Sequence, residues 1–206
     1  KESTEYHDLL QLDIEESYRN MVYKIEGAYQ WVRQNADSEF VVKVDSDTVV
    51  HIDRLYKRLK IYENTESGDW LACYKYAQQT AIGNPIRDKC THWYIPDSDY
   101  SLDFLPDYCR GGGYAFKRKT FDKIVQRLND HKVFEVEDMF FTGVVAGNLD
   151  VTFMEGVIPF EYTDYSECDS HGPSVSMLNT HNQFAGSTSK KNLKAAWARL
   201  KSPICR

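Results

Sequence analysis

Residues Phe40-Val-Val-Lys-Val-Asp-Ser-Asp47 run from a β-branched stretch straight into two carboxylates one residue apart. The run from Glu39 to Val44 reads as a short buried strand. In an extended segment alternate side chains point the same way, so Asp45 and Asp47 are expected to face one cleft where the strand ends. Two carboxylates beside a phosphate-bearing ligand suit a hard cation such as Mg²⁺ or Mn²⁺. A helix N-cap made by Asp47 or Thr48 is the structural alternative. A second triplet, Asp97-Ser98-Asp99, lies in a stretch rich in Pro and Tyr, where a turn is the simpler reading.

Outward from this segment, strands and helices alternate. Upstream, Ile14, Tyr18, Met21, Val22, Ile25, Tyr29 and Val32 follow helical spacing and predict an amphipathic helix over Asp13 to Asn35. Downstream, a helix with Ile52, Leu55, Leu59 and Tyr62 inward precedes a strand from Asp69 to Tyr74. A strand is read at Gly113 to Phe116, a helix at Lys119 to His131 and a short buried helix at Glu135 to Gly147. Strands at Leu149 to Met154 and Val157 to Tyr162, and a helix at Lys190 to Lys201, complete the pattern. Residues 77 to 107 lack periodicity, and an irregular stretch that long in a compact domain is usually functional. The alternation predicts an α/β domain with a mainly parallel central sheet flanked by helices, and ligands beyond the carboxyl ends of its strands.

The length of 206 residues fits one domain spanning 1–206. A net charge of −6 argues against nucleic acid or an anionic membrane surface as partner. With 42% hydrophobic and 27% charged residues the chain is not disordered. Its 14 Tyr suit sugar and nucleotide clefts, although half-buried packing explains most of them. No apolar run approaches the roughly 20 residues of a membrane span. Five Cys lie far apart without a CxxC pair, which fits either free thiols or long-loop disulfides.

Two further stretches carry candidate chemistry. Arg110-Gly-Gly-Gly-Tyr114 places three glycines in a row. Close approach of backbone to a ligand explains them, and so does a tight turn or bulge before a strand. Glu135-Val-Glu-Asp-Met-Phe-Phe-Thr-Gly143 leads two adjacent acids, Glu137 and Asp138, into an apolar segment. A carboxyl there can hold its proton more tightly and act as a general base. Capping of a helix start explains the same acids. The six His show no metal-ligand spacing, and His171 and His181 lie in a polar tail able to close over a cleft.

In order along the chain, these segments resemble the β-1,3-glycosyltransferase family, which holds β-1,3-galactosyltransferases and the related N-acetylglucosaminyl- and N-acetylgalactosaminyltransferases. Tyr6-His-Asp-Leu-Leu-Gln-Leu-Asp13 is similar to the family's opening motif, and Ser17-Tyr18-Arg-Asn20 with Lys24 and Trp31 to its first helix. Lys43-Val-Asp-Ser-Asp47 resembles K-x-D-D-D, and Pro85-Ile-Arg87 with His92-Trp-Tyr-Ile95 resembles P-x-R…K-W-Y-V. Tyr108 to Tyr114 resembles the family's Gly-rich segment, and Glu137-Asp138-Met139 with Gly143 its E-D-V-x-x-G. His181 and Trp197…Cys205 resemble the late histidine and terminal W…C.

The resemblance implies a GT-A nucleotide-diphospho-sugar transferase fold. It implies an inverting enzyme that moves a hexose or N-acetylhexosamine, galactose favoured, from a UDP-sugar to a glycan hydroxyl in β-1,3 linkage. It implies Mn²⁺, with Mg²⁺ as a substitute, held by Asp45 and Asp47 with His181 as third ligand. Donor binding falls to Lys43, Asp45, Ser46, Asp47, Gly112 and Gly113, the sugar and acceptor side to Trp93, Tyr114 and Glu137, and the base to Asp138. Ser46 stands where the family has its middle acid, so the outer pair carries the metal site. The acceptor is a glycoprotein, glycolipid or proteoglycan. The implied location is the Golgi membrane, catalytic domain in the lumen, with a type II anchor outside this sequence. That oxidising context favours a bridge at Cys109 or Cys168. The first matching motif normally follows the family's opening nucleotide-binding strand, so the chain is expected to lack part of the uridine pocket and to expose an unpaired sheet edge. The alternative is a non-catalytic carbohydrate- or nucleotide-binding relative of the same fold.

Overall fold

A computed structural model describes residues 2–77, 84–155, 168–173, 175–180 and 190–201. A short helix α1 (Glu2–Tyr6) precedes α2 (Met21–Asn35). The periodicity from Asp13 onward overestimates α2, because Asn20 donates its amide to Ser17 in a local turn that ends the helix upstream. Strand β1 (Phe40–Val44) follows, then β2 (Thr48–Val50), α3 (Ile52–Thr65) and β3 (Asp69–Tyr76). His51, not Asp47 or Thr48, caps α3, its Nδ1 accepting from the Arg54 amide. Leu55 and Leu59 are buried as expected, whereas Ile52 in the first turn is 74% exposed.

After the irregular region come β4 (Tyr108–Lys117), α4 (Arg118–Gln126), a π-helical segment Met139–Val145 and β5 (Val151–Met154). Short strands β6 (Cys168–Asp169), β7 (Gly172–Pro173) and β8 (Met177–Asn179) lead to α5 (Lys190–Lys201). The strand expected at Val157 to Tyr162 lies outside the described residues.

The main sheet has the order β1-β4-β3-β5. Among the described residues only β3 and β5 of this sheet pair in parallel, while β4 runs antiparallel to both β1 and β3, which corrects the expectation of a mainly parallel sheet. The physical reason lies in the connections. Strands β1, β3 and β5 share one direction, as helical crossovers require. Strand β4 inserts between β1 and β3 in the opposite sense. Among the described residues β1 and β5 form the sheet edges, and β2 pairs with β8 in a separate ribbon.

Side chains alternate across the sheet and divide the core. Leu71, Tyr114 and Phe116 pack with Tyr29 of α2, with Phe121 and Ile124 of α4, and with Phe140 and Phe141 of the π-helical segment. Trp70, Ala72 and Ala115 face Leu55 and Leu59 of α3, with Met177 of β8. Cys73 of β3 is bridged to Cys109 of β4, closing the excursion between those strands. Cys168 is also disulfide-bonded, and Cys90 is free and exposed. Among the described residues no helix is long and apolar enough to cross a membrane.

Candidate active site

The carboxylate pair lies on a tight turn, not on an extended strand end. The Asp45 amide donates to Gly112 O at 3.3 Å, and the Thr48 amide donates back to Asp45 O at 3.0 Å. Thr48 Oγ1 also donates to Gly112 O, at 2.7 Å. The turn replaces the alternation expected of a strand, so the two acids occupy different surroundings. Asp45 and Ser46 stay accessible, whereas Asp47 is 8% exposed. The Asp47 carbonyl accepts both the amide and the hydroxyl of Thr180, each at 2.9 Å, which ties the turn to the chain just after β8.

The glycine run sits inside β4 and makes neither a terminal turn nor a loop. Its need for glycine comes from what it touches. A Cβ on Gly111 would lie 2.9 Å from Asp138 Oδ2, and one on Gly113 would lie 3.1 Å from Met177 Sδ. The Gly111 carbonyl accepts from Lys43 Nζ at 2.6 Å, and its amide donates to the Asp138 carboxylate. Neighbouring Gly112 receives the Asp45 turn, so consecutive residues of β4 hold both acidic features.

Lys43 connects them. Its ammonium donates to Asp45 Oδ1 at 2.7 Å, Glu137 Oε1 at 2.6 Å and Gly111 O at 2.6 Å. Burial works against its charge, but Glu137 and then Asp45 outweigh burial and hold its pKa above the usual lysine value. Glu137 Oε2 accepts from the Tyr114 hydroxyl at 2.9 Å, and that hydroxyl is 2.9 Å from the Tyr29 hydroxyl. Tyr114, expected on the sugar side, is fully buried, and burial followed by the Glu137 charge pushes its pKa far up.

Asp138 opens the π-helical segment, a form often found at functional sites. Its Oδ1 accepts from the Met139 amide at 2.9 Å, so the capping role read from sequence is real. Thr142 Oγ1 donates to Asp138 O at 2.6 Å and accepts from the Cys109 amide at 2.8 Å, clamping the segment onto β4 beside the disulfide. Burial, and then the Glu137 charge, pushes the Asp138 pKa up to about 7, while the Met139 amide, Lys43 and the Gly111 amide pull it back. A carboxyl tuned to neutrality is suited to take a proton from a hydroxyl.

Trp93, 50% exposed, hydrogen-bonds Tyr18, whose hydroxyl pKa is raised by burial and then by Asp138. Arg87 secures the Trp93 stretch by donating to Ile95 O at 2.6 Å and Tyr100 O at 2.8 Å. The structure thus gathers Lys43, Asp45, Tyr114, Glu137, Asp138 and the glycine run around mid-β4, with Asp47 at the back of its turn. His181 lies outside the described residues. Among the described residues no three His, Cys, Asp or Glu side chains are grouped to hold a metal. Tyr18, Tyr29 and Thr142 join the site without having been given a role in it. The doublet Glu137-Asp138 four residues ahead was the available signal for Thr142. A cavity of about 710 Å³ lies at the other end of β1 and β4, where Phe40 pairs with Lys117.

The sequence profile of the family described as Galactosyltransferase matches residues 1–155, a span that contains the site residues above except Met177, Thr180 and His181. The chain is 28% identical over 169 residues to "Beta-1,3-galactosyltransferase 1" of Mus musculus, covering 81% of this chain and 48% of that protein. It is 26% identical over 178 residues to "Lactosylceramide 1,3-N-acetyl-beta-D-glucosaminyltransferase" of Rattus norvegicus, covering 82% and 46%. It is 27% identical over 146 residues to "N-acetyllactosaminide beta-1,3-N-acetylglucosaminyltransferase 4" of Homo sapiens, covering 68% and 35%. The matched part spans about half the length of the first of these relatives, or less for the others.

Proposed function

The chain belongs to the Galactosyltransferase family, and we propose that it is an inverting sugar transferase of GT-A fold. It moves a hexose or N-acetylhexosamine, galactose favoured, from a UDP-sugar to a glycan hydroxyl in β-1,3 linkage. One observation carries the reading. Gly111 holds Asp138 and adjacent Gly112 holds the Asp45 turn, so a neutral-tuned carboxyl and an accessible acidic turn share one stretch of β4.

In this mechanism Asp138 accepts the proton of the acceptor hydroxyl. The acceptor oxygen bonds to the anomeric carbon as the bond to the UDP oxygen breaks, and one displacement inverts the centre. No covalent nucleophile is required. Trp93, beside Tyr18, offers an exposed ring face for stacking a sugar. Asp45, accessible on its turn, and Asp47 behind it would be the carboxylates to hold Mn²⁺ or Mg²⁺, with His181 as the third ligand by resemblance. When bound, such a cation offsets the charge of the leaving diphosphate. Ser46, Gly112 and Gly113 frame the donor side. Glycoproteins, glycolipids and proteoglycans are the acceptor classes, and the Golgi lumen is the proposed location.

The test is release of UDP by the protein at its full natural length, from UDP-galactose, UDP-N-acetylglucosamine and UDP-N-acetylgalactosamine, with and without Mn²⁺. The reading expects Mn²⁺-stimulated release that rises with a glycan acceptor and is fastest from UDP-galactose. No metal-stimulated turnover of any UDP-hexose would make the chain a non-catalytic binding relative.

A further inference from the structure

We propose that Lys43 and Glu137 are positioning residues: their ion pair fastens Asp138 and the Asp45 turn to the same stretch of β4, and neither side chain contacts the transferred sugar. This deepens the transfer reading and rests on it for its kinetic arm.

The bonding supports this directly. A lysine ammonium has three protons to donate, and here Glu137, Asp45 and Gly111 O take all three. Both carboxylate oxygens of Glu137 are engaged, by Lys43 and by Tyr114. The side chains are 9% and 11% exposed. A sugar hydroxyl would have to displace one partner of a desolvated charge pair, which is costly. The pair also joins elements far apart in sequence: β1 through Lys43, β4 through Gly111 and Tyr114, the stretch ahead of the π-helical segment through Glu137, and α2 through Tyr29. Gly111 is the hinge of the arrangement, with its carbonyl on Lys43 and its amide on Asp138.

Among the described residues the groups facing Asp138 are few. Glu137 belongs to its own segment, Lys43 comes from β1, Tyr76 from β3, Tyr108 from β4 and Tyr18 from the stretch before α2, with the amides of Met139 and Gly111. Among these, Glu137 is the carboxylate and Lys43 the ammonium, so the two variants act on Asp138 with opposite sign. Removing the Glu137 charge makes Asp138 a weaker holder of its proton, and removing the Lys43 charge makes it a stronger one.

The experiment follows the ¹³C carboxyl shift of labelled Asp138 against pH in the full-length protein, in wild type, Glu137→Gln, Lys43→Met and the double variant. The same four proteins are assayed for kcat and acceptor KM across pH with UDP-galactose and Mn²⁺. The expected displacement is about one pH unit down in Glu137→Gln and about one unit up in Lys43→Met. The double variant is expected to titrate near wild type, with kcat reduced about 10-fold or more through lost positioning and acceptor KM within about twofold. Displacements of the same sign, or none, overturn the proposal, as does a Glu137→Gln protein whose acceptor KM rises while kcat holds. If a single variant does not fold, the charge-balanced double variant decides by the same two readouts. If wild type transfers no sugar, the transfer reading fails, and the Asp138 titration still decides the positioning claim.

Discussion

Gly111 and Asp138 are so close that a methyl group on the glycine would lie 2.9 Å from the carboxylate oxygen Oδ2. The first glycine of the run therefore answers to the acid across from it. The adjacent strand positions carry the other half of the site, because Gly112 accepts from Asp45 and Thr48. Gly111→Ala is expected to push Asp138 out of place, lowering transfer by about 10²-fold and stability by roughly 1–3 kcal/mol. Gly113→Ala meets the sulfur of Met177, the far end of a flexible side chain, and should cost much less on both counts. Comparing the two variants by UDP release and thermal unfolding checks this.

Asp138 also links function to stability. Its folded pKa of about 7 stands above the ordinary aspartate value of about 3.9. The folded state therefore holds this proton more tightly than the unfolded chain, and stability attributable to the group falls as pH rises from about 4 to about 7. Asp138→Asn removes that penalty; its single acceptor oxygen keeps one of the two backbone donors, Met139 and Gly111, and loses the other. Its stability relative to wild type should therefore be greater at pH 8 than near pH 4, by roughly 1–2 kcal/mol. Calorimetry at the two pH values is the check. In wild type the transfer rate should climb through about pH 7 and then level, as a deprotonated base requires.

The Cys73–Cys109 bridge joins β3 to β4 across 36 residues of sequence, including the stretch that bears Trp93. In the chain-entropy account, removing such a cross-link costs about 3–4 kcal/mol. The double variant Cys73→Ala, Cys109→Ala should lose stability of that order in denaturant titration. Transfer should fall as well, because the Cys109 amide holds Thr142, which holds Asp138 O.

Arg87 donates to the carbonyls of Ile95, Tyr100 and Leu102 and pairs with Asp97. Lysine cannot reproduce that fork of donors. Arg87→Lys should loosen the Trp93 stretch and raise acceptor KM about 10-fold, while UDP affinity stays within about twofold. Acceptor saturation curves and UDP titration separate the two effects.

How much of this was readable from the chain depends on whether the controlling contact is local. Strands β1, β3 and β5 were legible because β-branched runs alternate with helical periodicity, and their shared direction follows from the helices between them. The insertion of β4 between β1 and β3 was not, since neighbour order in a sheet has no local signature. The carboxylate pair was visible, but the Thr48 amide bond that turns it out of strand geometry was not. Asp138 was recognisable from an acid entering an apolar run. Its partner Lys43 is linked through Glu137, 94 residues away from that lysine, and only folding brings them together. Tyr29 was legible as a core residue from its helical spacing, whereas its hydroxyl contact with Tyr114 depends on α2 lying over β4.

The central claim is that Asp138 is the base of a sugar transfer. Its most direct test sets wild type beside Asp138→Asn, measuring transfer of galactose from UDP-galactose to a glycan acceptor at pH 8 and Mn²⁺-dependent UDP binding in the same preparations. The account predicts transfer reduced by at least about 10²-fold with UDP affinity within about threefold of wild type. An Asp138→Asn protein that transfers galactose at the wild-type rate would contradict it.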